Sequence, residues 1–362
     1  MGNTGMPECI HNFSAGPAKL PDAVRVALAD ALAPCADGSP SVAEISHRGK
    51  RFLAIAEELE SRLSRLMGLG DEHELLLLQG GANFQFACLP LNLAAGRTPA
   101  YLISGHWGQK ALAEARKIGP AVTAGSSEDQ SFQVLPAVKT LPDDCAYLHF
   151  TGNETIHGLQ FADPPGADAP LAADLSSEFL SRPYPCADLA FGYAGAQKNL
   201  GIAGLTVVWI RKDLLERIPD GLPAYLDYRT WVKTDSMYNT PTTLAWFVAL
   251  ETLRWIERLG GLEVMAARNR TKAAGLYAAI DASDFYFNPV AEAARSVMNV
   301  PFWTVDEALV PEFVAAAESA GLQGLKGHRA LGGLRASLYN ALEPQSVEVL
   351  VDFMREFERS HG

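Results

Sequence analysis

The residue with the most chemical promise in this chain is Lys198. It lies in Tyr193-Ala-Gly-Ala-Gln-Lys-Asn-Leu-Gly-Ile-Ala-Gly204, among small residues and between two apolar runs. Upstream is Asp188-Leu-Ala-Phe-Gly-Tyr193 and downstream is Leu205-Thr-Val-Val-Trp-Ile210. Both runs read as buried strands, being short, β-branched or aromatic, and bounded by glycine. An uncompensated buried ammonium is costly, so such a lysine either pairs with an anion or loses its proton. A lysine with a lowered pKa attacks carbonyls and forms Schiff bases. A lone lysine at a sheet end more often buries its stem and lifts its head into water. The company Lys198 keeps favours the chemical reading.

That company is spread over several strand ends. Glu74-Leu-Leu-Leu-Leu78 predicts a strand running into Gln79-Gly-Gly-Ala-Asn-Phe-Gln85 and then a helix. A strand, glycine turn and helix start aim backbone N–H groups at a phosphate. The stretch is neither a Walker A loop nor G-x-G-x-x-G, and alone it reads as a tight βα turn. Tyr101-Leu-Ile-Ser-Gly-His-Trp-Gly108 predicts a strand with Trp107 at its end, a core aromatic or a stacking surface for a flat ligand. Ala146-Tyr-Leu-His-Phe-Thr151 runs into Gly152-Asn-Glu-Thr-Ile-His157, and Leu171-Ala-Ala-Asp174 ends in a carboxylate. Alternating strands and helices give a mostly parallel sheet with right-handed crossovers, whose ligands gather beyond the carboxyl ends of the strands. The Gly80 turn, Trp107, Thr155, Asp174 and Lys198 all fall at or near such ends.

The positioning elements follow from periodicity. Residues 1–12 read as a lead-in and Asn12-Phe-Ser-Ala-Gly-Pro-Ala18 as a turn. A helix is expected after Pro21 with Val24, Leu28, Ala31 and Leu32 inward, then a loop from Pro34 to Ser41. Phe52, Ile55, Ala56, Leu59, Leu63 and Leu66 mark a long amphipathic helix. It is preceded by the basic stretch Glu44-Ile-Ser-His-Arg-Gly-Lys-Arg51. Positive charge at a helix start opposes the macrodipole, and binding an anion would explain it. After loop-rich residues 220–241, a helix from Thr243 to Leu259 breaks at Gly260-Gly261. Helix and strand then alternate over Met265–Ile280, Val297–Phe302 and Val310–Ala320. Gly324–Ser337 carries Lys326, His328, Arg329 and Arg335 among glycines, and taken alone reads as a basic surface loop. A terminal helix turns Val347, Leu350, Val351, Met354 and Phe357 inward.

The totals narrow the class. A chain of 362 residues builds one large or two medium domains. Its 48% hydrophobic and 20% charged content is that of a soluble globular protein. A net charge of −12 argues against nucleic acid and anionic membranes as partners, so any anionic substrate needs a local cationic cluster. Cys9, Cys35, Cys88, Cys145 and Cys186 are odd in number and widely spaced, as expected of reduced thiols in the cytoplasm. Neither they nor the eight histidines show zinc-ligand spacing, so no metal is expected. No apolar run is long enough to span a bilayer.

Lys198 and Asp174 together suit pyridoxal phosphate. That cofactor needs a lysine for its Schiff base, a carboxylate to keep the ring nitrogen protonated, and a phosphate cup. Lys198, once released by an amino-acid substrate, is free to move the Cα proton. Asp174 fits the carboxylate role, Trp107 the stacking role and the Gly80–Asn83 turn the cup.

With these residues in view, the chain resembles the phosphoserine aminotransferases, class V members of the fold-type-I pyridoxal-phosphate enzymes, over nearly its whole length. The landmarks are Asn12-Phe-Ser-Ala-Gly-Pro17, Ser46-His-Arg-Gly49, Asn153-Glu-Thr155, Ala173-Asp174, Ala194-Gly-Ala-Gln-Lys-Asn199, Tyr238-Asn-Thr-Pro241 and Gly327-His-Arg329. The resemblance implies an α/β fold: a large domain with a mostly parallel seven-stranded sheet flanked by helices, plus a smaller C-terminal α/β domain. The expected division is residues 16–260 and 261–362, with residues 1–15 joining the small domain. It implies one pyridoxal phosphate per subunit, held as a Schiff base on Lys198, with Asp174 on the pyridine nitrogen. Trp107 stacks on the ring, Thr155 bonds near the ring hydroxyl, and Gln197 contacts the phosphate. Asn239 and Thr240 do so from the second subunit, so the family homodimer completes each site. Ala82 and Asn83 occupy cup positions where some members carry Gly-Arg, which keeps backbone donors but no arginine. Arg335 is expected to clamp the substrate α-carboxylate, and His47, Arg48, His328 and Arg329 to hold its distal phosphate or the γ-carboxylate of glutamate. Ala15 stands where some members have a serine near the substrate, so no side-chain bond is expected there.

The implied reaction exchanges an amino group between glutamate and 3-phosphohydroxypyruvate, giving O-phospho-L-serine and 2-oxoglutarate, in serine biosynthesis. The family also commonly handles the phosphorylated hydroxythreonine analogue of pyridoxine synthesis, an alternative that stays open here. A cysteine desulfurase needs a late catalytic cysteine, and none lies beyond Cys186. An alanine–glyoxylate transaminase needs no phosphate-grade cluster such as His328-Arg329 with His47-Arg48. A phospho-ligand binding protein without chemistry has no use for Lys198, Asp174 and Trp107 together.

Overall fold

A computed structural model describes residues 10–33 and 38–362. Cys9, Cys35 and most of the expected lead-in therefore lie outside the described residues. The chain begins with β1 (His11–Asn12), α1 (Asp22–Leu32), α2 (Lys50–Met67), β2 (His73–Gln79), α3 (Gln85–Leu93), β3 (Thr98–Ile103), α4 (His106–Ile118) and β4 (Val122–Ser126). Then follow β5 (Cys145–Thr151), β6 (Asn153–Glu154), β7 (Leu159–Gln160), β8 (Leu171–Asp174), β9 (Phe191–Gly195), β10 (Leu205–Arg211), α5 (Lys212–Leu215), α6 (Tyr228–Lys233) and α7 (Thr243–Arg258). The remainder is α8 (Gly261–Asp281), β11 (Tyr286–Phe287), β12 (Asn299–Thr304), α9 (Val310–Ser319), β13 (Leu322–Gln323), β14 (Leu334–Ser337) and α10 (Pro344–His361).

The main sheet has seven strands in the order β2-β10-β9-β8-β5-β3-β4. Only β10 runs against its neighbours, pairing antiparallel with both β2 and β9. The reason is the connection: residues 196–204 join β9 to β10 as a tight loop, too short for the crossover that a parallel partner requires. Within it the Ala196 N–H bonds the Leu205 carbonyl at 2.9 Å. Lys198 thus rides a hairpin-like loop at the carboxyl end of β9.

Strand alternation sends side chains to two cores. Leu77, Leu102, Val207 and Trp209 meet α2 and α7 on one face, against Phe52, Leu59, Leu63, Trp246 and Leu253. Leu76, Leu78, Tyr101, Ile103 and Val208 meet α3 and α4 on the other, against Phe86, Leu89, Ala111 and Leu112. A third core gathers Phe302, Phe313, Leu334, Leu350 and Phe357 behind the antiparallel sheet β11-β12-β14. Phe13 belongs to this third core, and β1 pairs in parallel with β13. We propose the division at residues 260/261 on this basis, with the described start of the chain assigned to the smaller unit. α8 bridges the two, giving Met265 to the first core and Leu276 and Ile280 to the third.

Four local expectations are corrected. Leu32 is exposed, because α1 buries only Val24 and its last turn faces outward. Trp107 stands in the first turn of α4, where a strand end and then a turn were expected, since Gly105 already starts the helix. Phe191, not Asp188, opens β9, because Cys186–Asp188 form a tight turn first. Asn299, not Val297, opens β12, because the Ser296 hydroxyl accepts the N–H groups of Met298 and Asn299.

Candidate active site

A cavity of about 410 Å³ opens at the carboxyl edge of the main sheet. Lys198, Asp174, Trp107, Thr155, Gln197, Ala82, Asn83, His328 and Arg335 all line it. The convergence has a simple origin. β2, β3, β5, β8 and β9 are mutually parallel, so the loops leaving their carboxyl ends emerge on one edge. Register aligns the centre of that edge, with Thr151 beside Asp174 and Asp174 beside Tyr193.

Asp174 is buried and accepts the Ser176 N–H at 2.9 Å. Burial raises its pKa, while Lys198 and the Ser176 bond pull it back down. Desolvation lowers the pKa of Lys198, and the Asp174 and Glu154 carboxylates oppose the fall. The two residues therefore form a coupled pair in which the amine is easier to deprotonate than a surface lysine. The loop carrying Lys198 is held from two sides. Ala18 N–H donates to the Gln197 carbonyl at 2.9 Å, and Gly195 N–H donates to Ser176 Oγ at 3.1 Å.

The aromatic wall is equally fixed. Trp107 Nε1–H donates to Thr155 Oγ1 at 2.9 Å. The Glu154 carboxylate accepts the N–H groups of Trp107 at 3.1 Å and Gly108 at 2.8 Å, capping the start of α4. Burial drives the Glu154 pKa up to about 7 against those bonds. Opposite, the Arg335 guanidinium donates to the Thr155 carbonyl at 3.1 Å. Thr155 thus touches both the indole and the guanidinium.

Several expected residues stand elsewhere. His47 and Arg48 precede α2 outside the cavity lining, with Arg48 exposed. Arg329 is exposed beside the mouth, next to His328. Asn239 and Thr240 lie on an exposed loop, where Gln79 Nε2 donates to Asn239 Oδ1 at 3.0 Å and to the Thr240 carbonyl at 2.5 Å. Sequence reasoning passed over Glu154 and His106. Glu154 was visible within Asn153-Glu-Thr155, but its role depends on β6 facing the start of α4. His106 adjoins Trp107, and only the return of the 324–337 stretch places it against His328.

The donor set fits pyridoxal phosphate. The cavity holds an amine of lowered pKa, a buried carboxylate, an indole wall and a glycine-led turn at Gly81–Asn83. Thr151 Oγ1 faces this space buried and without a hydrogen-bond partner among the described residues. A polar atom left so is ready for a ligand.

Comparison with known proteins agrees. The class-V aminotransferase family model matches residues 10–350. A phosphoserine aminotransferase of Desulfatibacillum aliphaticivorans is 46% identical, over 99% of this chain and 100% of its own. The solved phosphoserine aminotransferase of Bacillus circulans subsp. alkalophilus is 45% identical, covering 98% of this chain and 100% of its own, with a TM-score of 0.95. The PLP-bound phosphoserine aminotransferase of Trichomonas vaginalis is 37% identical, covering 96% and 99%, with a TM-score of 0.90.

Proposed function

The chain belongs to the phosphoserine aminotransferase family of class-V aminotransferases, and from that membership we propose how its residues divide the work. It is a pyridoxal-phosphate-dependent enzyme exchanging an amino group between L-glutamate and 3-phosphohydroxypyruvate, with O-phospho-L-serine and 2-oxoglutarate as products. The observation that carries the assignment of roles is the coupled Lys198–Asp174 pair in one cavity with Trp107 and Arg335.

Bound there, pyridoxal phosphate supplies the carbonyl carbon that receives the amino group and a ring that spreads negative charge from the substrate Cα. Lys198 is the residue proposed to carry it, one cofactor per subunit. Asp174 would keep a proton on the ring nitrogen, Trp107 would lie on the ring, and Thr155 would turn its hydroxyl hydrogen towards the ring oxygen. Gln197 and the turn at Ala82 and Asn83 would meet the cofactor's phosphate. With its pKa lowered, the Lys198 amine accepts the Cα proton and returns it at the other end of the transfer. Arg335 pairs with the α-carboxylate shared by both substrates, and His328 and Arg329 face the distal anion.

A cytoplasmic homodimer is part of the proposal. Arg48, Asn239 and Thr240 are exposed on one chain, and His47 stands outside the cavity lining. Dimerisation would bring them over the partner's cavity, Asn239 and Thr240 towards the cofactor phosphate and His47 and Arg48 towards the substrate.

The test is a single turnover of purified holoenzyme with O-phospho-L-serine and no keto acid. The cofactor's visible absorbance band should bleach, and Lys198→Ala should abolish steady turnover. A band that ignores phosphoserine but bleaches with another amino acid reassigns the substrate. No band after adding pyridoxal phosphate removes Lys198 from its role. The phosphorylated hydroxythreonine analogue run alongside decides that second substrate.

A further inference from the structure

We propose that His106 is a substrate-binding residue which, paired with the adjacent His328, adds a further donor to the distal-anion site from within the same chain. The proposal rests on the reading of this cavity as an aminotransferase site for a phosphorylated substrate.

The geometry is that of two neighbouring imidazoles, of which His328 lines the cavity and His106 stands beside it. The rings of His106 and His328 lie 5.7 Å apart between centroids, inclined at 48°. His328 lines the cavity together with Arg335. His106 opens α4 and stands edge-on to Trp107, 5.4 Å away, so it sits at the rim of the same wall. Ala330 N–H donates to His328 Nδ1 at 3.2 Å. That bond leaves the His328 proton on Nε2 in the neutral ring, as a donor for a ligand. The His106 side chain makes no hydrogen bond among the described residues, so its ring nitrogens are also uncommitted.

The surrounding charge explains why the pair would discriminate between anions. Lys110 faces His106 from its own helix, lying over the Trp107 ring at 5.4 Å. Arg329 faces it from the 324–337 stretch, and His157 from the turn after β6. The Glu154 carboxylate is turned to the N–H groups of Trp107 and Gly108. Burial first, then Lys110 and Arg329, lower the pKa of His106. Burial, Arg335, His106 and Arg329 do the same to His328. Without a ligand both rings are therefore held further towards the neutral form than a free imidazole. A phosphate dianion bridging ring nitrogens of the two from their edges reverses the local field, and each ring gains affinity for a proton taken from solvent. A carboxylate monoanion exerts a smaller pull. The pair should strengthen its grip on phosphoserine by charging, while meeting glutamate as plain N–H donors.

The experiment is titration calorimetry of holoenzyme with inorganic phosphate at pH 8, in two buffers of different ionisation enthalpy. The proteins are the unsubstituted enzyme, His106→Phe and His106→Gln. His106→Phe should bind phosphate roughly tenfold more weakly, the loss of one charge-assisted bond, and take up fewer protons. His106→Gln should regain part of the affinity but not the proton uptake. In steady state, KM for phosphoserine should rise more than KM for glutamate. Unchanged phosphate affinity and proton uptake in His106→Phe overturn the proposal, as do equal KM rises for both substrates. Failure of the unsubstituted enzyme to turn over phosphoserine instead sinks the functional reading, which separates the two.

Discussion

Thr155 holds Trp107 by its indole: Nε1–H points at Thr155 Oγ1 across 2.9 Å. The aromatic wall of the cavity is thereby aimed by the loop leaving β6, not by α4 alone. Thr155→Val keeps the shape and removes the acceptor. A lost hydrogen bond of about 1 kcal/mol predicts roughly fivefold weaker cofactor retention. Equilibrium dialysis measures it, with Thr155→Ser near the original value. A valine variant that retains cofactor normally assigns Trp107's position to packing.

Arg335 meets the Thr155 carbonyl and lines the same cavity. Arg335→Lys keeps a charge but loses the two-pronged fork. Both half-reactions should slow by tenfold or so, since both substrates carry an α-carboxylate. Stopped-flow measurement of each half-reaction checks this. A loss confined to phosphoserine would move Arg335 to the distal anion.

Glu60 on α2 faces Asp235 and Glu74, and burial followed by those charges pushes its pKa up to about 7. The folded pKa exceeds that of the unfolded chain, so the folded state binds the extra proton. Between about pH 4.5 and 7 stability from this group falls as pH rises, and above 7 the full penalty applies. Glu60→Gln should raise the thermal midpoint at pH 8 and leave it nearly unchanged at pH 5. Equal effects at the two pH values would show that ionisation is not the cause.

Asn299 ties β12 to β6 and to the end of β14. Its amide donates to Ser337 Oγ at 3.0 Å and Tyr339 Oη at 3.2 Å, and its carbonyl accepts from Asn153 Nδ2 at 2.8 Å. Asn299→Ala removes three buried hydrogen bonds, leaving Asn153 Nδ2 its bond to Ser177 Oγ and Tyr339 Oη its bond to the Ala15 carbonyl, and should cost about 3 kcal/mol. Urea unfolding monitored by fluorescence reads this directly. A cost below about 0.5 kcal/mol would mean that the network re-forms without it.

Gly16 lies at φ +138°, a backbone region that L side chains rarely adopt, and an added Cβ would touch Lys198 Cγ at an ordinary 3.7 Å, so the strain is in the backbone. Gly16→Ala should destabilise by about 1–2 kcal/mol and weaken cofactor binding through the loop that holds Lys198. Gly166→Ala, at an exposed and open position, is the matched control. Thermal melts of the two variants compare them. Equal behaviour would show that Gly16 tolerates a side chain.

The amino-acid order alone determined the strands, the long helices and the chemistry at their ends. Apolar runs such as Leu75–Leu78 and Val207–Ile210 bury as strands wherever they lie, and the spacing of Phe52, Ala56, Leu59 and Leu63 makes a helix face. Lys198 and Asp174 were legible for the same reason, because a charge at the end of an apolar run must be solvated, paired or put to use. What the tertiary structure alone decided was which ends meet. Leu32 and Val24 have similar side chains, yet only Val24 is covered, because burial depends on the neighbour and not on the residue. Glu154, a member of a polar motif, became a helix cap only when β6 met α4. His106 and His328 are far apart in the chain and are ring neighbours because α4 and the 324–337 stretch converge. Periodicity is local and survives in the sequence; a contact between distant residues exists only once loop closure, register and packing have selected one arrangement of the elements.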